Sequence, residues 1–496
     1  MLVFAILGAH EAFARWHVAE TEKFRVFSEG DTDDLRRRTA DLERFDALLR
    51  MFTGVEPDAE VQPFEMIIAK SQRNLRRHTS ASGNILGFYK ADPRCTIAFS
   101  VERASMTSGD IVLFHEYAHH FLYQHFPYGY PSWYIEGFAE YWSTAEFSDR
   151  SVTVGEYELI RAQWLPLALR DRPEKWFAAV PDIKSGEDGA KFYAMSWLFT
   201  HYLFRSDMQD QLRAYLRAVA AGEDDIAALK THLGMTPREI RTALRRYVKR
   251  KEMTRSQISF TEPLFTGEVR ITALPEAADD LFLPARALAC GTARDNLDDV
   301  LSDLRKAARD EDGPYAARLV AMAEAESGNA AAAITQLTTL LADAPADAEL
   351  LYALGRAHSR QAHVEAADID EQHALARGAY ARAFKVRPDH YQTLYFYALD
   401  GDSIRGDAPR ELLWRARELA PQVMQTSLYL AWSLAADGDL ETARNVLAPV
   451  AANPHFTDEH PARILLALIE TGDANIATMG EDIGVSSHEG NDAADD

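Results

Sequence analysis

Hydrophobic positions in the first half of the chain change period several times, and the changes predict a mixed fold. Asp33 to Phe52 places leucines and phenylalanines at helical spacing. Phe64 to Lys70, Asn84 to Tyr89 and Cys95 to Val101 are short apolar runs that read as three strands. Between the last two, Ala91-Asp92-Pro93-Arg94 has the residues of a tight turn, which makes them a hairpin. Helical periodicity returns from about Ser108 to His125, stopped by Pro127, and again from Pro131 to about Phe147. Pro131 sits where a first helical turn tolerates proline. Helices continue from Lys191 to Lys251, including a strongly amphipathic Pro237 to Arg250, and 258–300 reads as a strand-like and loop-like linker.

The last third becomes rich in alanine and leucine, with Pro388, Pro421 and Pro454 spaced 33 residues apart. A period of that length signals stacked helix pairs. Gly328 with Ala333, and Gly438 with Ala443, put small residues where two helices of a pair would touch, and these units resemble tetratricopeptide repeats. Pro345 to Pro388 spans 43 residues, which predicts an insertion around Arg360 to Gln372. The repeats are placed at 301–474, followed by an acidic tail at 475–496 that is poor in aromatics and expected to be disordered.

A chain of 496 residues is too long for one core, and its net charge of -23 disfavours nucleic acid as a partner. Cys95 and Cys290 lack CxxC spacing; two buried inert thiols are the expectation, and one structural bridge is the alternative. The apolar run Leu2 to Ala9 is too short to cross roughly 30 Å of hydrocarbon. With Ala12-Phe13-Ala14 after it, the segment 1–14 resembles a truncated secretory signal without its basic start. That reading makes the protein periplasmic or secreted; the alternative is a cytoplasmic protein opening on an ordinary element.

Chemistry concentrates in Phe114-His115-Glu116-Tyr117-Ala118-His119, an HExxH pattern in a helical context. Four residues advance a helix by about 400°, so His115 and His119 project from one face and can reach one Zn2+ ion. Glu116 beside them is the general base that takes a proton from metal-activated water. A third ligand is supplied by Glu136 in Trp133-Tyr134-Ile135-Glu136-Gly137-Phe138-Ala139-Glu140, seventeen positions after His119.

HExxH followed by a Glu-Gly-Phe-Ala core resembles the gluzincin zinc metallopeptidases, especially relatives of aminopeptidase N and the peptidase-MA-like proteins. The resemblance covers about Phe64 to Lys251 and implies zinc held by His115, His119 and Glu136. Glu140, one turn beyond, is expected to accept a hydrogen bond from a ligand histidine. Tyr193, in Tyr193-Ala194-Met195-Ser196-Trp197, resembles the family's tyrosine that donates to the oxyanion of the tetrahedral intermediate. The Gly-Ala-Met-Glu-Asn stretch that captures a free amine is not found upstream of His115. Cys95 to Val101 is therefore expected to serve as a sheet edge for an extended peptide.

His125 stands six positions after His119, but Leu122 replaces the glycine that would turn it back to the metal; His125, His120 and His201 are read as structural. The fold expected is an α+β zincin-like catalytic domain at 15–257, followed by an all-α solenoid resembling tetratricopeptide repeats. The function expected is zinc-dependent hydrolysis of peptide or protein substrates, with the repeats engaging a protein partner. The alternative is a catalytically silent zincin-like scaffold whose repeats bind protein partners.

Overall fold

The computed structural model describes residues 16–477 apart from 57–61, 80–85, 103–108, 127–128, 157–158, 178–184, 251–252, 293–295, 312, 365–367, 401–405 and 452–458. The expected signal segment and residues 478–496 of the expected tail lie outside the described residues.

The N-terminal half is organised on a small mixed sheet. Strands β1 (His17–Glu20) and β2 (Phe24–Ser28) form an antiparallel pair and lead into helix α1 (Thr32–Thr53). Asp31 caps α1 by accepting from the backbone N–H groups of Asp33 and Asp34, and Gly54 ends it in the left-handed conformation. Strand β3 (Phe64–Ala69) then lies parallel to β2, and helix α2 (Gln72–His78) leads to the hairpin of β4 (Gly87–Ala91) and β5 (Thr96–Val101). Its turn is built by Asp92, whose Oδ1 accepts from the backbone N–H groups of Arg94 at 2.7 Å and Cys95 at 3.2 Å.

Next come α3 (Gly109–His125) and α4 (Ser132–Trp142). The second was expected to reach Phe147, but it stops at Trp142, and Glu146–Ser148 turns back as β6 against β7 (Ser151–Val154). Short helices α5 (Leu159–Ala162), α6 (Leu165–Ala168) and α7 (Glu174–Phe177) precede the long α8 (Gly186–Arg205). Helices α9 (Gln209–Ala220), α10 (Asp225–His232) and α11 (Pro237–Lys249) complete the helical lobe. A reciprocal capping box between Thr236 and Glu239 starts α11.

The stretch read as a linker is part of this half. Strand β8 (Ser256–Ser259) pairs with β7, and β9 (Arg270–Ala273) pairs with β1, giving the sheet order β4-β5-β3-β2-β1-β9. Helix α12 (Ala278–Ala289) covers one face of the sheet: Phe282 and Leu283 pack with Val18, Phe27, Ile67, Ile97 and Phe99. The opposite face, carrying Val26, Met66, Ile68 and Ala98, packs on α1 and α3. Strand alternation therefore feeds two cores, and an element invisible as a local pattern closes one of them. The expected peptide edge also moves. Strand β5 lies between β4 and β3, so its backbone is paired on both sides and the edge is β4.

Cys95 and Cys290 form a disulfide with Cα atoms 5.5 Å apart, which corrects the expectation of two inert thiols. The bridge ties the hairpin to the end of α12. Sequence spacing does not reveal it because the partners are separated by 195 residues.

The C-terminal part is a helical repeat region. Helix α12 with α13 (Leu297–Ala307) is followed by the pairs α14 (Pro314–Ser327) with α15 (Ala330–Asp343) and α16 (Ala348–Val364) with α17 (Ile369–Val386). The pairs α18 (Tyr391–Leu399) with α19 (Asp407–Leu419) and α20 (Met424–Ala436) with α21 (Leu440–Ala451) come next, then α22 (Pro461–Thr471). The expected insertion largely takes the form of long helices, with α16 and α17 running 17 and 18 residues. Order continues past 475: Ile476 is buried and its carbonyl accepts from Trp432 Nε1 at 2.9 Å. No helix among the described residues is long and apolar enough to cross a membrane.

Candidate metal centre

Helix α3 presents His115 and His119 one turn apart, and α4, every residue of which is buried, brings Glu136 against them. The two histidine Nε2 atoms are 3.0 Å apart, and each lies 3.6 Å from Glu136 Oε2. One ligand atom from each of the three residues falls within 4.8 Å of the others. Glu136 Oε2 is buried without a hydrogen-bond donor. A carboxylate oxygen in that state is costly unless something cationic or a donor completes it. Two imidazole nitrogens and one carboxylate oxygen make a donor set suited to a divalent cation.

Glu116, the neighbour of His115 on α3, is buried. Burial, and then the charge of Glu136, pushes its carboxyl up to about 8, against a hydrogen bond donated by the Tyr89 backbone N–H. Glu136 is likewise pushed up to about 8, by burial and then Glu140, with Arg161 opposing. Burial and the Arg161 charge push His115 down to about 3, so its ring is neutral and its nitrogens are available as ligands.

Glu140 sits one turn beyond Glu136, its Oε1 3.7 Å from His115 Nδ1, which is beyond hydrogen-bond reach. Its bonded partner is Arg161 of α5, which grips it at both oxygens, at 2.8 and 3.1 Å. Tyr193, on α8, lies under the same guanidinium, 4.7 Å from Arg161 Cζ to the ring centre. Ionisation of Tyr193 is pushed up chiefly by the charge of Glu136, then by burial, Glu140 and Glu116, with Arg161 opposing.

The structure thus brings together His115, His119, Glu136, Glu116, Glu140 and Tyr193, and puts the other histidines elsewhere. His125 Nε2 lies 3.3 Å from Arg50, His120 stacks on Phe64 with centroids 3.9 Å apart, and His201 Nδ1 bonds the Tyr247 hydroxyl at 2.8 Å. Sequence reasoning missed Arg161, which has no motif around it, and Tyr89, whose role is played by its backbone. It also missed why the motif glycine matters. A Cβ on Gly137 would collide with Thr200 Oγ1 and come within 2.5 Å of the Ser196 carbonyl oxygen, so Gly137 lets α4 and α8 close together. Gly87 does the same for β4 against α3: a Cβ there would meet Val112 at 2.5 Å.

No curated protein matches the chain. Residues 295–399 match the family described as Tetratricopeptide Repeats-Sensor, in the region where the helix pairs stack. Over residues 295–399 the chain is therefore similar to a tetratricopeptide sensor repeat domain, a kind of domain suited to binding protein partners.

Proposed function

We propose that the N-terminal half is a zincin-like domain of the gluzincin kind and that the protein is a zinc-dependent peptidase acting on peptide or protein substrates. The observation that supports it is the meeting of His115, His119 and Glu136, with Glu136 Oε2 lacking a donor. A zinc ion held by these three side chains would polarise a scissile carbonyl and acidify water. Glu116, whose carboxyl holds a proton more tightly than an exposed one, would take a proton and return it to the leaving amine. Tyr193 would donate a hydrogen bond from its hydroxyl to the developing oxyanion, and Arg161 would hold Glu140 and keep Tyr193 in place. An extended substrate would add to β4, the sheet edge beside Glu116, rather than to β5.

A second reading is favoured by the repeat family match: a catalytically silent zincin-like scaffold whose repeats bind protein partners. The bridge between Cys95 and Cys290 supports a periplasmic or secreted setting, where disulfides persist. Elemental analysis of the full chain, with cleavage of a mixed peptide library by wild type and Glu116→Gln, separates the readings. We expect about one zinc per chain, cleavage by wild type, and a loss of about 10²- to 10⁴-fold in the zinc-loaded variant. Zinc without any cleavage favours the scaffold, and a chain that takes up no zinc sinks the peptidase.

A further inference from the structure

The repeats touch the N-terminal half at one informative place, the turn of the β4–β5 hairpin. Tyr391, the first residue of α18, is buried, with its hydroxyl 3.0 Å from Thr96 Oγ1. The same hydroxyl donates to the backbone carbonyl of Asp92 at 3.3 Å. It can serve both contacts by donating to the carbonyl and accepting from the threonine. Gln422, just before α20, reaches Thr96 from the next repeat at 3.5 Å. Beside them Gln62, ahead of β3, bonds Asp389 at 2.9 Å.

The other end of the same hairpin strand reaches the candidate metal centre. A Cβ built on Gly87 would lie 3.4 Å from Glu116 Cγ, so the start of β4 packs directly on that side chain, and the Tyr89 hydroxyl lies 3.2 Å from His120 Nδ1 on α3. Among the described residues strand β4 is an edge, paired with β5 alone, so no described strand constrains its outer side. Its placement against Glu116 depends on Gly87 packing on α3 and on how the turn is held.

We propose that Tyr391 is a positioning residue: by gripping Asp92 and Thr96 it sets where β4 packs against Glu116, so the repeat domain and the site on α3 are coupled through one hairpin. A protein partner that reoriented α18 would thereby alter the site without touching it. The coupling is structural; only its consequence for catalysis rests on the peptidase reading.

The test is hydrogen exchange followed by mass spectrometry on the full chain, comparing wild type with Tyr391→Phe, Thr96→Val and the double variant. Both substitutions keep size and remove one hydroxyl. Each single variant should speed exchange of the Gly87–Ala91 amides by about threefold to tenfold, the order expected for losing one or two hydrogen bonds. The double variant should fall short of the two single effects combined, because both changes break the Tyr391–Thr96 contact while each also removes a second one, to Asp92 or to Gln422. Exchange at the β1–β9 end of the sheet should stay as in wild type. Unchanged exchange in β4, or equal acceleration across the whole sheet, overturns the proposal. Against a peptide that wild type cleaves, the singles should lower kcat severalfold at unchanged zinc content, and unaltered kcat overturns the catalytic consequence. If wild type cleaves nothing, the peptidase reading fails, and the exchange result alone decides the coupling.

Discussion

Replacing Asp46 with asparagine should loosen α3, the helix that carries His115 and His119, from α1. Asp46 is fully buried, and its Oδ1 accepts the Tyr117 hydroxyl at 2.7 Å, which joins α1 to α3 right beside Glu116. Its Oδ2 accepts from Lys23 at 2.6 Å and from Arg50 Nε at 2.7 Å. Arg50 in turn reaches His125 at 3.3 Å, at the C-terminal end of α3. Asparagine keeps a partner for Tyr117 but leaves one buried and one half-buried cation uncompensated. Removing one partner of a buried ion pair costs about 3–5 kcal/mol. Because Lys23 is 24% exposed and can turn to water, the lower part of that range is expected. Urea denaturation of both proteins at pH 7 measures the difference. Its pH dependence supplies a second check. Burial pushes the Asp46 carboxyl up, but the charges of Lys23 and Arg50 and the hydrogen bonds outweigh it and hold the group below its usual value. A carboxyl depressed in the folded state contributes fully above its unfolded pKa, about 3.9, and loses that contribution as pH falls through the folded value. The advantage of wild type should therefore stay constant from pH 7 to 5 and shrink below about pH 4. A difference under about 1 kcal/mol at pH 7, or one that grows on acidification, would refute the reasoning.

Two further outcomes follow from packing and cross-linking. Gly137→Ala should destabilise by about 3 kcal/mol or more, since backbone as well as side chain of α8 blocks the new methyl, and thermal melts would show it. On the proposed reading the same variant should also take up less zinc in elemental analysis, because Glu136 rides on the displaced helix. Reducing the bridge between Cys95 and Cys290, or replacing both with serine, should lower stability by up to about 5 kcal/mol, given the separation of 195 residues. Denaturation with and without reductant measures this, and identical curves would count against a bridge that stabilises the fold.

What the sequence determined by itself was local and periodic. The i, i+4 spacing of His115 and His119 puts both on one face of any helix, and Glu136 follows on the next helix after a short connection, so the cluster was legible before any coordinates. The recurring prolines and small residues likewise marked stacked helix pairs, because a solenoid repeats its local pattern. Tertiary structure decided everything that depends on partners distant along the chain. Strand β9 joins β1 across some 250 residues, α12 covers a sheet face, β4 rather than β5 becomes the edge, and Cys95 meets Cys290. Arg161 acquires its role only where α5 folds against α4 and α8. Such pairings leave no periodic trace in either segment. They are chosen by which surfaces bury best together, and that is a property of the whole packed chain.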